Sequence, residues 1–342
     1  MKSKLAVLLL IISILFTGCG ETSLPAISLP LSQTEEAPEE ETALLYVGEH
    51  ALKPYAAAVF ISSRINNYDK IYGDDIWSVA LSEGSFLDVV TDKTRTLTAL
   101  FFVASCMADS DGITLSDEEI AAARKAGAAY YGAISESDRT AYSLEETDII
   151  EMFSSCRKAE KEYAAICSSE AAEVSQDESR VIELKRISVS FRNLTEVEKV
   201  EKKEVIMNAL ARIEAGEDFD TVATDSGSSA DSFLAARGEL SEEEEEAAFA
   251  LATGEVSGLL DLYDSIVILK CVNSYVEDES ALHRSELLRE REEEAFLESL
   301  ESYLELNPLH WNSALWEETS QGGFTETSAD FFEIYKNYFG EM

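Results

Sequence analysis

Few residues of this chain have the types and spacing that catalysis or metal binding requires. The three histidines, His50, His283 and His310, are far apart, and no cysteine or glutamate pattern beside them indicates a metal site. The glutamate run at 242–246 could attract a divalent cation, but an uninterrupted run lacks converging ligands and is typical of a solvated face. The chain has no nucleophile elbow, phosphate-binding loop or dinucleotide fingerprint. We therefore expect no metal site and no cofactor.

The five cysteines comprise one near the N-terminus and four in the body of the chain. Cys106, Cys156, Cys167 and Cys271 show neither CxxC nor zinc-ligand spacing. Cys156 and Cys167 fall on one predicted long helix, too far apart to pair within it. We expect these four residues to be free, buried thiols rather than disulfides.

The remaining cysteine, Cys19, follows a segment typical of an exported protein. Residues 1–4 are short and basic, and residues 5–16 form an apolar run that is too short to span a bilayer comfortably. The sequence FTGC at 16–19 is similar to a bacterial lipobox, in which the cysteine is acylated and becomes the mature N-terminus. The alternative is an ordinary signal peptide with an incidental cysteine. We predict a lipid anchor on Cys19 at the extracytoplasmic face of the membrane, in a bacterium and specifically a Gram-positive one.

Charge excludes one class of partner and favours another. The chain carries 67 acidic and 27 basic residues, for a formal net charge of −40. Such a surface repels the phosphate backbone, so we expect no nucleic-acid partner. The large negative charge also keeps a protein that binds apolar segments soluble, and it favours cationic clients.

The elements that would position any site change in type along the chain. Residues 20–45 are acidic and proline-rich and predict a disordered tether. The pattern of residues 46–175 predicts helices. Two residue pairs in this region have the spacing of capping boxes, Ser116 with Glu119 and Ser143 with Glu146. The predicted helices cover 54–73, 86–112, 112–135 and 144–171.

Residues 180–278 instead predict a small α+β domain with an antiparallel sheet. The predicted order is a strand at 180–191, a helix at 197–216, a helical turn at 218–226, a helix in the glutamate-rich segment and a hairpin at 254–270. A long charged helix at 279–306 follows, and then Trp311 and Trp316, which either pack the helical domain or line a cleft for clients. The tail at 319–342 ends in an aromatic helical stretch.

Three segments of the α+β region carry a family resemblance. They are RVIELKRISV at 180–189, ARIEAGEDFDTVA at 211–223 and EEAAFALATGEVSGLL at 245–260. Their order and separation resemble the parvulin-type peptidyl-prolyl isomerase domain. The flanking segments, such as DGITLSDEE at 111–119, resemble secreted foldases of the PrsA and SurA type.

The resemblance implies an α+β architecture. An all-α chaperone domain would be built from residues 46–175 and 279–318, with the parvulin-like domain at 180–278 inserted into it and the tail at 319–342 following. It also implies binding of unfolded or nascent secreted polypeptides.

The same resemblance implies a catalytic pocket that this chain does not preserve. Family chemistry uses two histidines that face each other across the sheet, and their positions fall on Arg186 and Val267. No histidine lies within 180–278. The pocket methionine corresponds to Leu240 and the pocket phenylalanine to Glu244. Two further pocket residues, Asp231 and Phe249, keep their places.

Three functions remain open on this basis. The first is a lipid-anchored foldase that holds unfolded chains, with no catalytic residue in its parvulin-like domain. The second is an active isomerase with a rearranged pocket. The third is an acidic surface lipoprotein for envelope assembly or adhesion.

Overall fold

The computed structural model describes residues 42–81, 84–170, 173–321, 323–324 and 327–340. The predicted signal segment, Cys19 and nearly all of the predicted tether lie outside these residues. In chain order the elements are β1 (Leu45–Val47), β2 (His50–Leu52), α1 (Pro54–Tyr72), a 3₁₀ turn (Asp74–Ser78), β3 (Ala80–Leu81), β4 (Gly84–Ser85), α2 (Phe86–Ser110), α3 (Asp117–Ala133), α4 (Glu136–Ala141), α5 (Glu146–Glu170), β5 (Ile182–Ser190), α6 (Glu196–Glu214), α7 (Phe219–Asp225), β6 (Ser232–Ala235), α8 (Glu242–Ala250), β7 (Leu260–Leu262), β8 (Ser265–Asn273), α9 (Glu277–Leu306), β9 (Leu309–Trp311), α10 (Ser313–Ser320) and α11 (Phe331–Phe339).

The protein has an α+β fold, as predicted, with mostly helical structure and small antiparallel sheets. The chain divides into two compact units. The first unit contains the described residues up to 170 and from 292 onward, and the second contains those from 173 to 291.

Helices α1 to α5 and α11 surround an aromatic core in the first unit. Phe60, Phe153 and Phe331 are buried at its centre, and the rings of Phe153 and Phe331 stack with their centroids 4.2 Å apart. Phe331 belongs to the C-terminal helix α11, and Tyr335 on the next turn of the same helix is also buried. The aromatic tail therefore forms part of the core of this unit.

The expectation that this helical part is all-α is wrong. Strand β1 pairs antiparallel with both β2 and β9, which gives a three-stranded sheet in the order β2-β1-β9. The register Leu45↔Trp311 joins the first described segment to the C-terminal one. Strands of three residues are too short to produce a readable alternation of apolar and polar residues.

One predicted capping box is confirmed and the other is wrong. The Ser116 hydroxyl accepts from the Glu119 amide, and Glu119 in turn accepts from the Ser116 amide. Ser143 instead adopts a φ of 47°, whereas a capping residue needs extended backbone. The carboxylate of Asp148 accepts from the Glu145 amide at that helix start.

The second unit contains a four-stranded antiparallel sheet in the order β6-β5-β8-β7. Helices α6 and α7 pack on one face, where Ile187 and Ile268 join Ile206 and Phe219 in a buried cluster. The other face carries Leu184, Val267 and Leu269, which pack with Phe249 of α8. Strand β6 was not predicted, and it occupies one edge of the sheet.

No helix in the described part of the chain is long and apolar enough to cross a membrane.

Candidate functional site

The alternation of strand β5 places a polar row on the sheet face that carries α8. Ile187 and Val189 point into the core under α6 and α7. Their neighbours Arg186, Ser188 and Ser190 therefore face the opposite side, because successive side chains alternate across a strand. This polar row begins where the apolar residues of that face end, so part of the face is free to receive a ligand.

A cavity of about 470 Å³ opens over this row, and we call it the groove. Its walls come from strand β5, from the first turn of α8 and from the hairpin of β7 and β8. The lining is mostly hydroxyl-bearing and charged, and the residues that matter below are Arg186, Ser188, Ser190, Ser241, Glu244 and Val267. A volume of this size is typical of a ligand-binding site.

Arg186 and Glu244 form an ion pair in the groove. Nη2 of Arg186 lies 3.0 Å from Oε1 of Glu244, whose side chain is only 9% exposed. Within the described chain, Arg186 Nε donates no hydrogen bond and Glu244 Oε1 accepts none, although both atoms are buried. The Ser241 hydroxyl donates to the other oxygen of Glu244 at 3.3 Å. Each buried polar atom without a hydrogen bond costs on the order of 1–3 kcal/mol.

A second cavity of about 390 Å³ shares Arg186 and Ser188 with the groove. It is also lined by residues 227–229, by Asp231 and by Phe233. Asp231 accepts from the Ser229 hydroxyl at 2.7 Å. The Arg186 guanidinium lies 5.0 Å from the centroid of the Phe233 ring, so Arg186 forms a wall between the two cavities.

The remaining sequence-predicted positions are placed differently. Val267 lines the groove but is 2% exposed and belongs to the apolar core of that face. Leu240 packs against this core and does not line the groove. Phe249 lies between two guanidinium groups, with Arg180 at 4.9 Å and Arg237 at 4.3 Å from its ring centroid. The structure thus brings Arg186, Glu244 and Val267 together and leaves Phe249 in the core.

The serine hydroxyls that line the groove were not predicted from the sequence. Ser188 and Ser190 follow Arg186 at a spacing of two along a predicted strand, and this spacing would have placed all three on one face. Ser241 is the N-cap of α8, where its hydroxyl accepts from the Glu244 amide. No pattern in the sequence indicates that this cap and strand β5 lie against the same cavity.

The cysteines of the described chain are poor candidates for a nucleophile. All four described cysteines are free, as predicted, but only Cys106 and Cys271 are fully buried. Burial raises the pKa of Cys106 to about 12 and the pKa of Cys167 to about 11. Both thiols are therefore protonated at neutral pH and unreactive. Among the described residues, no cluster of three or more histidine, cysteine or acidic side chains could hold a metal ion.

The first unit exposes a second feature of interest, a group of apolar side chains between residues 68 and 86. Tyr68 contacts three rings, Tyr72, Trp77 and Phe86, with centroid distances of 5.2 to 6.0 Å. Four large apolar residues in this segment are 42% to 59% exposed, namely Ile71, Tyr72, Val79 and Leu81. We call these seven residues the aromatic patch. Exposed apolar surface of this kind is typical of a contact site for another chain.

Trp311 and Trp316 pack the core of the first unit. They are 2% and 8% exposed, and their rings meet edge to face at 5.4 Å. The guanidinium of Arg95 covers both rings, at 4.7 and 5.7 Å from their centroids. Of the two interpretations of this pair, the structure favours packing over a client cleft.

Comparison with known proteins gives only weak likenesses. No protein-family model matches the sequence. No curated protein matches it either. The foldase PrsA of Lactococcus lactis is similar in structure with a TM-score of 0.30 and 12% identity, over 83% of this chain and 100% of that one. A peptidylprolyl isomerase (PrsA) from Bacillus cereus has a TM-score of 0.30 and 16% identity, over 76% and 96%. The PrsA of Streptococcus pneumoniae has a TM-score of 0.24 and 16% identity, over 83% and 87%. Likenesses of this size do not establish a family.

Proposed function

We propose that this protein is a membrane-anchored foldase on the extracytoplasmic face, which binds unfolded secreted polypeptides without isomerising their prolyl bonds. In this proposal residues 180–278 form a parvulin-like domain inserted into a helical chaperone domain made of residues 46–175 and 279–318. The function is binding rather than catalysis.

One observation carries the proposal: the groove is present, but the groups that would twist an amide are not. The groove has room for a peptide segment and lies on the sheet face where the resemblance expects a pocket. The positions expected to hold two histidines hold Arg186 and Val267, and the position expected to hold a phenylalanine holds Glu244. A charged pair offers no dry apolar wall for a prolyl ring.

The aromatic patch supports client binding by the other unit. Unfolded chains expose apolar side chains, and these gain free energy when they cover exposed rings and aliphatic groups on a partner. The net charge of −40 favours cationic segments and keeps the loaded protein soluble. Both features suit a protein that holds chains before they fold.

The proposal is tested by suppression of aggregation. The chain from residue 20 onward, without the predicted lipid, is added to a chemically reduced secreted protein, and light scattering is followed. We expect suppression at near-stoichiometric ratios, whereas an acidic surface lipoprotein without a folding role would leave scattering unchanged. Such a negative result would contradict the proposal.

The absence of catalysis has its own test. A protease-coupled assay on proline-containing peptides measures the isomerisation rate with and without the protein. We expect no rate above the uncatalysed one. A clear acceleration that is lost in the variant Glu244→Ala would instead establish an active isomerase with a rearranged pocket.

The anchor is tested in cells. We propose that Cys19 carries the lipid, so Cys19→Ala is expected to move the protein from the membrane fraction to the medium. Release of the parent protein to the medium, unchanged by Cys19→Ala, would show an ordinary signal peptide with an incidental cysteine instead.

A further inference from the structure

We propose that the edge of strand β5 at residues 186–190 binds an extended polypeptide backbone and selects peptide bonds that carry an N–H. A bound secondary amide would donate to Glu244 and accept from Arg186. A peptide bond that precedes proline has no N–H and would be rejected. This inference rests on the proposed function, because it specifies what the second unit recognises in an unfolded chain.

The first support is an incomplete strand edge. Strand β6 pairs with β5 only through residues 182–185, with Lys185↔Ser232 as the last pair. From residue 186 to 190, the only strand beside β5 in the described chain is β8 on the other side. A strand edge without a neighbour presents backbone groups that can pair with an incoming extended chain.

The second support is the Ser228 hydroxyl, which lies at this edge of strand β5. The Ser188 N–H donates to the Ser228 hydroxyl at 3.1 Å, and that hydroxyl contacts the Ser188 carbonyl at 3.4 Å. One side chain therefore satisfies the backbone groups that a neighbouring strand would otherwise satisfy. A peptide backbone can replace it without loss of hydrogen bonds, because it offers both a donor and an acceptor.

The third support is the unusual state of the ion pair. Nη2 of Arg186 faces Oε1 of Glu244 at 3.0 Å, yet in the described chain Oε1 accepts no hydrogen bond and the neighbouring Nε of Arg186 donates none. The Arg186 side chain is 35% exposed and that of Glu244 is 9% exposed, so the guanidinium is the more accessible of the two groups. A secondary amide that enters beside them gives its N–H to the carboxylate and its carbonyl to the guanidinium. Hydrogen bonds to charged groups are stronger than neutral ones.

Two features of the cavities agree with this occupant. Both cavities border Arg186 and Ser188, so a chain that lies along this edge would contact the residues that the two cavities share. Their walls carry serine hydroxyls, which suit a peptide backbone better than an apolar ring. Arg192 is already paired with Asp264 at the rim, which leaves less positive charge for an anionic ligand.

The test compares two short, blocked, uncharged alanine–serine peptides. They differ only in one N-methyl group on the central amide, which removes its N–H and keeps its carbonyl. Each is titrated into the chain from residue 20 onward, and amide chemical shifts in the second unit are followed by NMR. We expect shifts at Ser188 and Val267, and binding about tenfold weaker for the methylated peptide.

A double variant, Arg186→Met with Glu244→Leu, shows where the discrimination arises. We expect it to bind both peptides equally. Glu244→Gln is the more conservative variant, and its discrimination should be reduced because a neutral oxygen accepts more weakly. Glu246, which is exposed on the same helix and lines neither cavity, gives the matched control, and Glu246→Gln should discriminate as the parent does.

Three results would overturn the inference: no shifts in the groove, equal binding of both peptides by the parent, or tighter binding of the methylated or a prolyl peptide. Its failure is separable from failure of the proposed function. Suppressed aggregation without groove binding would reject only the inference. Groove binding without suppressed aggregation would reject the foldase role.

Discussion

Nη2 of Arg186 on strand β5 lies 3.0 Å from Oε1 of Glu244 in the first turn of α8, and the two side chains form an ion pair. A carboxylate as buried as that of Glu244 needs an opposite charge nearby, and Arg186 supplies it.

Removal of Arg186 alone is expected to destabilise the protein. Arg186→Met leaves the Glu244 carboxylate buried without its partner, at a cost of about 1–3 kcal/mol in the free energy of unfolding. The double variant Arg186→Met with Glu244→Leu should return close to the parent, because replacing both partners with apolar groups is often neutral. Urea denaturation of the parent, both single variants and the double variant measures the coupling. Additive effects of the two substitutions would show that the pair contributes nothing.

The aromatic patch is expected to carry client binding in the first unit. Tyr72→Ser with Leu81→Ser removes two exposed apolar side chains, and we expect affinity for a reduced client to fall about tenfold. The matched control is Val197→Ser with Val200→Ser on α6, which removes similar exposed groups from the other unit. Light scattering against protein concentration gives the comparison. Equal losses in the two double variants would mean that exposed apolar area acts without a specific site.

How far the sequence predicts this structure depends on the length of each pattern. The helix α1 and the strand β5 were both predicted within two residues of their ends, because each presents several turns or alternations of apolar residues. The three-residue strands β1 and β9 pair across more than 260 residues, and nothing local indicates their register. The same limit applies to the candidate site. Arg186, Glu244 and Val267 were selected by resemblance, but the ion pair and the serine lining follow only from the tertiary contact between α8 and the sheet.

Glu119 is expected to make the stability of the first unit depend on pH. Burial disfavours its charge, but the Ser116 amide and the side chains of Arg157 and Lys161 outweigh burial and lower the pKa of Glu119 to about 2. A lowered pKa adds stability above the ordinary value of 4.5, and this is lost as the pH falls towards about 2.

The variant Glu119→Gln tests this link between α3 and α5. Glutamine preserves the capping box, so the variant removes mainly the charge. We expect a loss of about 1–3 kcal/mol at pH 7 that shrinks below about pH 4.5 and vanishes near pH 2. Thermal melts across this range measure it. Asp117→Asn is the control in the same first turn, and it should lose only about 0.3–1 kcal/mol. A Glu119→Gln deficit that is constant with pH would contradict the assignment.

Two glycines of helix α3 should respond in opposite directions to the same substitution. A Cβ on Gly127 would lie 2.8 Å from the Cα of Ile150 in α5, whereas a Cβ on Gly132 would meet nothing within 4 Å. Gly127→Ala must therefore push two packed helices apart and should cost about 1–3 kcal/mol. Gly132→Ala only stiffens the helix and should gain up to about 1 kcal/mol. Urea denaturation of both variants measures these changes in the free energy of unfolding. If Gly127→Ala left the free energy of unfolding unchanged, α3 and α5 would not approach this closely.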